Sequence, residues 1–110
     1  MKELRLELKN EDGQVDTFVQ DFIPMKRLLE WYENQSLIEE GEIKPGVDVI
    51  VKKIEFVASL FDDERVTPER ILSGLDSRQF EEKIHGLINQ VVLGETDPKE
   101  TGKLSQHKKY

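Results

Sequence analysis

The sequence predicts a mainly α fold with a small N-terminal β-hairpin, an α+β arrangement of three longer helices and one short helix. Three observations lead there. Apolar residues recur at every second position over residues 3–20. They recur at helical spacing in three later stretches. Those stretches are punctuated by residues that start or stop helices: Pro24, Gly41, Gly46, Pro68, Gly74 and Gly94. Residues 1–94 are expected to form a single globular domain, and residues 95–110 a disordered polar tail.

The hairpin comes first. Leu4, Leu6 and Leu8 alternate with Arg5, Glu7 and Lys9, the pattern of a half-buried strand. Asn10-Glu11-Asp12-Gly13 is a turn cluster, in which glycine can adopt a positive φ. Val15, Thr17 and Val19 alternate again, with Phe18 on the opposite face. A lone hairpin is marginal in water, so this one must pack on something.

A first helix is expected over about 24–39. Pro24 suits a first helical turn, and Met25, Leu28, Leu29 and Tyr32 form its stripe with Trp31 at the flank. The run Gly-Glu-Ile-Lys-Pro-Gly over 41–46 is a loop. A second helix is expected over about 47–61 and has two apolar stripes. Val47, Ile50, Val51, Ile54, Ala58 and Phe61 make one; Val49, Phe56 and Leu60 make the other, nearly opposite. A strand at 47–51 is the alternative, because β-branched residues are weak helix formers. Asp62-Asp63-Glu64-Arg65 reads as a solvated linker.

Thr67 is the expected N-cap of a short helix over 68–73, with Pro68 as its first residue. Gly74 is expected in a left-handed C-terminal position with Leu75 as the accompanying hydrophobic contact. Asp76 or Ser77 should cap a last helix over 77–93, with Phe80, Ile84, Leu87, Ile88 and Val91 on one face and Gly94 at its end. The core should then contain Leu28, Leu29, Ile54, Phe61, Leu75, Ile84 and Leu87.

The chain has 110 residues, 36% hydrophobic and 35% charged, with a formal net charge of −7. That balance suits a small helical domain with one modest core. An acidic surface disfavours general nucleic-acid binding and docking on anionic membranes, since both need cationic surface. There is no cysteine, hence no disulfide framework and no thiolate metal site. The charged opening Met-Lys-Glu-Leu-Arg-Leu-Glu-Leu-Lys carries no apolar run of signal-peptide length, and no run approaches a membrane span. A cytoplasmic protein is the expectation.

Catalytic patterns are missing. Asn89, not a second ligand, stands four residues after His85, so the helical zinc motif is absent and His85 reads as a surface histidine. Asp62-Asp63-Glu64 lacks the spacing of a calcium loop. Ser59, Ser73 and Ser77 sit in no nucleophile elbow, and neither a Walker sequence nor a dinucleotide glycine pattern occurs. The expectation is a non-enzyme with no cofactor and no metal. Partner binding falls to the second stripe, Val49, Phe56 and Leu60, with Trp31 beside it. Two readings stay open: the stripe meets the hairpin and first helix, or it forms a self-association or partner surface.

The order of Phe56-Val57, Leu60-Phe61, Thr67, Ile71, Gly74-Leu75, Ile84, Ile88 and the closing Val-Val-Leu-Gly of 91–94 resembles the tail assembly chaperones of long-tailed phages and prophages of Gram-positive bacteria. Phe18-Val19 followed by Lys26-Arg27-Leu28-Leu29 resembles the same family's hairpin-to-helix start, so the likeness covers residues 15–94. The resemblance implies a non-catalytic chaperone. It would coat the long, largely helical tape measure protein until the tail tube polymerises around it, and would be absent from the mature virion. It also implies a further partner, a longer frameshift form of the chain; a second copy of the chain is the partner that a self-associating second stripe would bind. Thr101-Gly102-Lys103 can be encoded with a slippery heptamer, a chance Gly-Lys pair being the alternative. Beside the chaperone stands a different class, a small acidic regulatory or interaction module of the antitoxin or adaptor kind. A nucleic-acid mimic would need its carboxylates on one face, whereas lysines and arginines are interspersed here.

Overall fold

A computed structural model describes residues 3–94. The expected polar tail and the Thr101-Gly102-Lys103 segment lie outside them. Strands β1 (Leu4–Lys9) and β2 (Val15–Gln20) pair antiparallel, with Leu6 opposite Phe18. The Asn10 side chain accepts hydrogen bonds from the backbone N–H groups of Asp12 (2.9 Å) and Gln14 (3.1 Å), and Gly13 closes the turn at φ 84°. Helix α1 spans Met25–Glu39, α2 Val47–Ser59 and α3 Pro68–Gly74. The last helix is composite: a 3₁₀ turn at Ser77–Gln79, a π-helical turn at Phe80–His85, then α4 at Gly86–Leu93.

Pleat alternation decides the hairpin's buried face. Leu4, Leu6, Leu8 and Phe18 are all in the core. Val15 and Val19 pair with Lys9 and Arg5 on the outer face and are exposed. The inward residue of β2 is thus Phe18 rather than the valine series. The Arg65 guanidinium lies 5.0 Å from its ring centroid, within cation–π range.

The inner face of the hairpin packs on α3 and α4, and α2 lies against α3 and the π turn. The core gathers Ile54, Phe56, Val57, Ala58, Leu60 and Phe61 with Val66, Ile71, Ile84, Leu87 and Ile88. Burial of α2 therefore begins at Ile54. Val47 (74% exposed) and Ile50 belong to the expected inner stripe yet face solvent.

Three expectations need correction. Leu29 is 59% exposed and Leu28 only half-buried, because α1 turns the stripe of Leu28, Trp31 and Ile38 toward the body instead. No residue of α1 is fully buried. Gly74 is not left-handed; it closes α3 where β1 crosses. A Cβ there would stand 2.7 Å from the Lys9 carbonyl oxygen and 3.1 Å from the Leu8 Cβ. Leu75 is half-buried against the core, with its N–H bonded to the Ile71 carbonyl at 3.1 Å. Finally, the last helix is not α throughout. The wider π turn brings rings five residues apart, Phe80 and His85, to 5.3 Å edge-on.

Caps fall where side-chain chemistry puts them. The Thr67 hydroxyl accepts from the Arg70 N–H at 3.1 Å, and the Asp76 carboxylate from the Arg78 N–H at 2.9 Å. Helix α1 ends in a Schellman motif: Gly41 (φ 79°) donates to the Ile38 carbonyl and Glu42 to that of Leu37. Gly94, at φ 72°, ends α4 as expected.

Candidate partner-binding surface

The least stabilised element presents the most apolar surface. Helix α1 starts at Pro24 without a side-chain cap, has no acidic residue in its first turn and no basic residue in its last. Lys26 and Arg27 occupy the first turn, and Glu39 and Glu40 close the last. Both arrangements oppose the helix dipole, which favours anions at the N-terminus and cations at the C-terminus. Only half-buried residues tie α1 to α2 and α4. The central tie is Trp31, whose ring lies 5.3 Å from that of Phe56 at an interplanar angle of 48°.

The other side of α1 is unpartnered. Met25 (69% exposed), Leu29 and Tyr32 follow at spacings of four and three, which puts them on one stripe. Phe22, 72% exposed, extends the stripe ahead of the helix. Its position is fixed by Gln20, whose Nε2 donates to the Phe22 carbonyl and to Asp62 Oδ2, both at 3.0 Å. The same side chain's Oε1 accepts from the Asp62 N–H at 2.9 Å. Gln20 thus pins the entry of α1 to the linker after α2. Below the stripe lies an open groove of about 320 Å³, where Leu4, Phe22, Met25, Leu28 and Val91 converge. A single strip of apolar surface runs from groove to helix face, since Phe22 and Met25 belong to both.

The four residues chosen from the sequence fall differently. Phe56 and Leu60 lie in the core, Val49 and Trp31 are half-buried, and the structure brings only Trp31 and Phe56 into ring contact. Sequence reasoning missed Phe22 and assigned Leu29 to the core. Periodicity on α1 supports two faces, one through Leu28, Trp31 and Ile38 and one through Met25, Leu29 and Tyr32. The signal available was the pair of misplaced helix-end charges, which marks a helix poorly stabilised on its own.

Elsewhere the polar chemistry is local. Asp63 and Asp76 each have a pKa lowered to about 2. The first cause is a side-chain hydrogen bond from the arginine two residues on, Arg65 or Arg78, and the second is that arginine's backbone N–H. His85 bridges two elements: Lys53 Nζ donates to its Nε2 at 3.0 Å, and its Nδ1 lies 2.8 Å from Glu81 Oε1. Lysine has no acceptor, so the ring proton sits on Nδ1 and points at Glu81. Among the described residues no polar or charged residue is buried, no three potential metal ligands gather, and no helix is long and apolar enough to cross a membrane.

A family model described as phage tail chaperone protein matches residues 1–109. No curated protein and no solved structure matches.

Proposed function

The chain belongs to the phage tail chaperone family, and from that premise we propose that it binds the tape measure protein and holds it soluble until the tail tube polymerises around it. It acts in the host cytoplasm, without catalysis, and leaves before the virion is complete. A long helical client exposes apolar seams before its tube exists. A chaperone for it needs apolar surface that is open, shallow and reversible, on a body charged enough to keep the complex dispersed.

The observation that carries this reading is the outward stripe of α1, Phe22, Met25, Leu29 and Tyr32, continuous with the groove beside Leu4 and Val91. Four large apolar side chains in one strip on a small acidic protein mark an interaction surface rather than scattered exposure. The test is co-expression with the cognate tape measure protein. The expected result is a soluble tape measure that co-purifies with the chain. A tape measure equally insoluble with and without the chain overturns the reading.

A further inference from the structure

We propose that the segment seated on the α1 stripe is an amphipathic helix whose apolar side is flanked by lysines and arginines. This rests on the reading above only in taking α1 as the client face.

Two observations choose the partner's backbone and its charge. The stripe lies on a regular α-helix, whose N–H and C=O groups are already bonded along the helix. It therefore offers no ladder to an incoming strand, and a partner must satisfy its own backbone bonds, which a helix does. Met25, Leu29 and Tyr32 form a ridge of the kind that packs into the groove between side-chain rows of a facing helix.

Charge then selects the flanks. Between residues 21 and 42 the sequence places six carboxylates, Asp21, Glu30, Glu33, Glu39, Glu40 and Glu42, against two cations, Lys26 and Arg27. Arg27 is already held by Glu30 at 2.7 Å. Glu33, Glu39, Glu40 and Glu42 are exposed and make no ion pair among the described residues. On the helical wheel Glu33 borders the stripe, and Glu39 and Glu40 close its far end, where the helix dipole adds further negative potential. A basic-flanked helix relieves this imbalance. A second copy packed through the same helix worsens it: even antiparallel, its residues 21–42 offer only Lys26 as a cation outside an ion pair among the described residues and bring the same carboxylates again.

The probes are two labelled amphipathic peptides of about 20 residues, long enough to cover the stripe at 1.5 Å per residue. They share one leucine stripe and differ only in flanks, lysine against glutamate. Fluorescence anisotropy with the full chain should give binding of the lysine peptide at least about tenfold tighter than of the glutamate peptide. That preference should shrink between about 50 and 500 mM salt. The variant Glu33→Lys with Glu39→Lys should remove or invert it while leaving the melting temperature unchanged. Leu29→Asp should abolish binding of both peptides, again without unfolding. Equal binding of the two peptides, or an unaltered preference in the charge-reversed variant, overturns the proposal. So does a micromolar homodimer in sedimentation that Leu29→Asp converts to monomer. If the flank preference holds while the tape measure stays insoluble, the chaperone reading fails and this inference stands. If the tape measure is solubilised equally by wild type, Leu29→Asp and the charge-reversed variant, this inference fails and the chaperone reading stands.

Discussion

Two glycines show how differently one residue type is used. At Gly74 a methyl group would meet the backbone oxygen of Lys9 at 2.7 Å, an atom that cannot swing aside. Gly74→Ala should lower stability by about 1–3 kcal/mol through overpacking. Gly86 is helical at φ −63° with nothing within 4 Å of a built Cβ. Gly86→Ala should therefore raise stability by about 0.5–1 kcal/mol, since alanine is the better helix former. Paired thermal melts of the two variants check both signs. The sequence marked Gly74 as a stop but assigned it the wrong reason, because a close approach by β1 leaves no trace in residues 68–75. The Asp76 cap was legible, being set by local chemistry, whereas the Asp63 turn reads in sequence only as a solvated linker. Their pKa values of about 2 lie below the ordinary 3.8, so what Asp63 and Asp76 contribute is present from neutral pH down to about pH 4 and is lost as pH falls toward 2. Asp63→Asn with Asp76→Asn should flatten the fall in melting temperature across that window. Both groups are open to solvent, so the change should be small.

For whole elements, periodicity located each helix and left open which way two of them face. Ile84 sits at 0% exposure where the π turn meets α2, and Ile84→Ala should cost about 2–5 kcal/mol. Leu29→Ala, equal in chemistry but on the solvent side of α1, should change stability by less than about 0.5 kcal/mol. Urea titration of the two variants tests the inversion of α1 directly, since a mainly inward Leu29 would give them similar losses. On α2 both stripes were visible, and both are buried from Ile54 on because α3, the π turn and Trp31 of α1 close around its second half. The first half, Val47 and Ile50, looks the same in sequence and stays exposed. Only the position of the neighbours separates the halves. The π turn was not legible either, since Phe80, Ile84, Leu87, Ile88 and Val91 fit a plain α-helix equally well.

The molecule as a whole is an interior assembled from the hairpin, α2, α3 and the last helix, with α1 laid on its outside. The hairpin-plus-helices plan and the chaperone family were both legible, because the plan follows from pattern and the family from the order of helix stops. The outward apolar stripe of α1 was not, since it depends on how α1 is rolled. Trp31, the sole tryptophan, packs from α1 onto Phe56 and should report any peptide that shifts α1 by a change in its emission. Because α1 contributes no fully buried side chain, its detachment would uncover Phe56 and leave the rest of the interior packed. Its amide protons should therefore exchange with deuterium through local opening, orders of magnitude faster than those of β1 or α4, which are released only by unfolding of the whole chain. A bound client would then slow exchange in α1 selectively, and grip and release would be governed by the tethering of one helix while the rest of the chain stays folded.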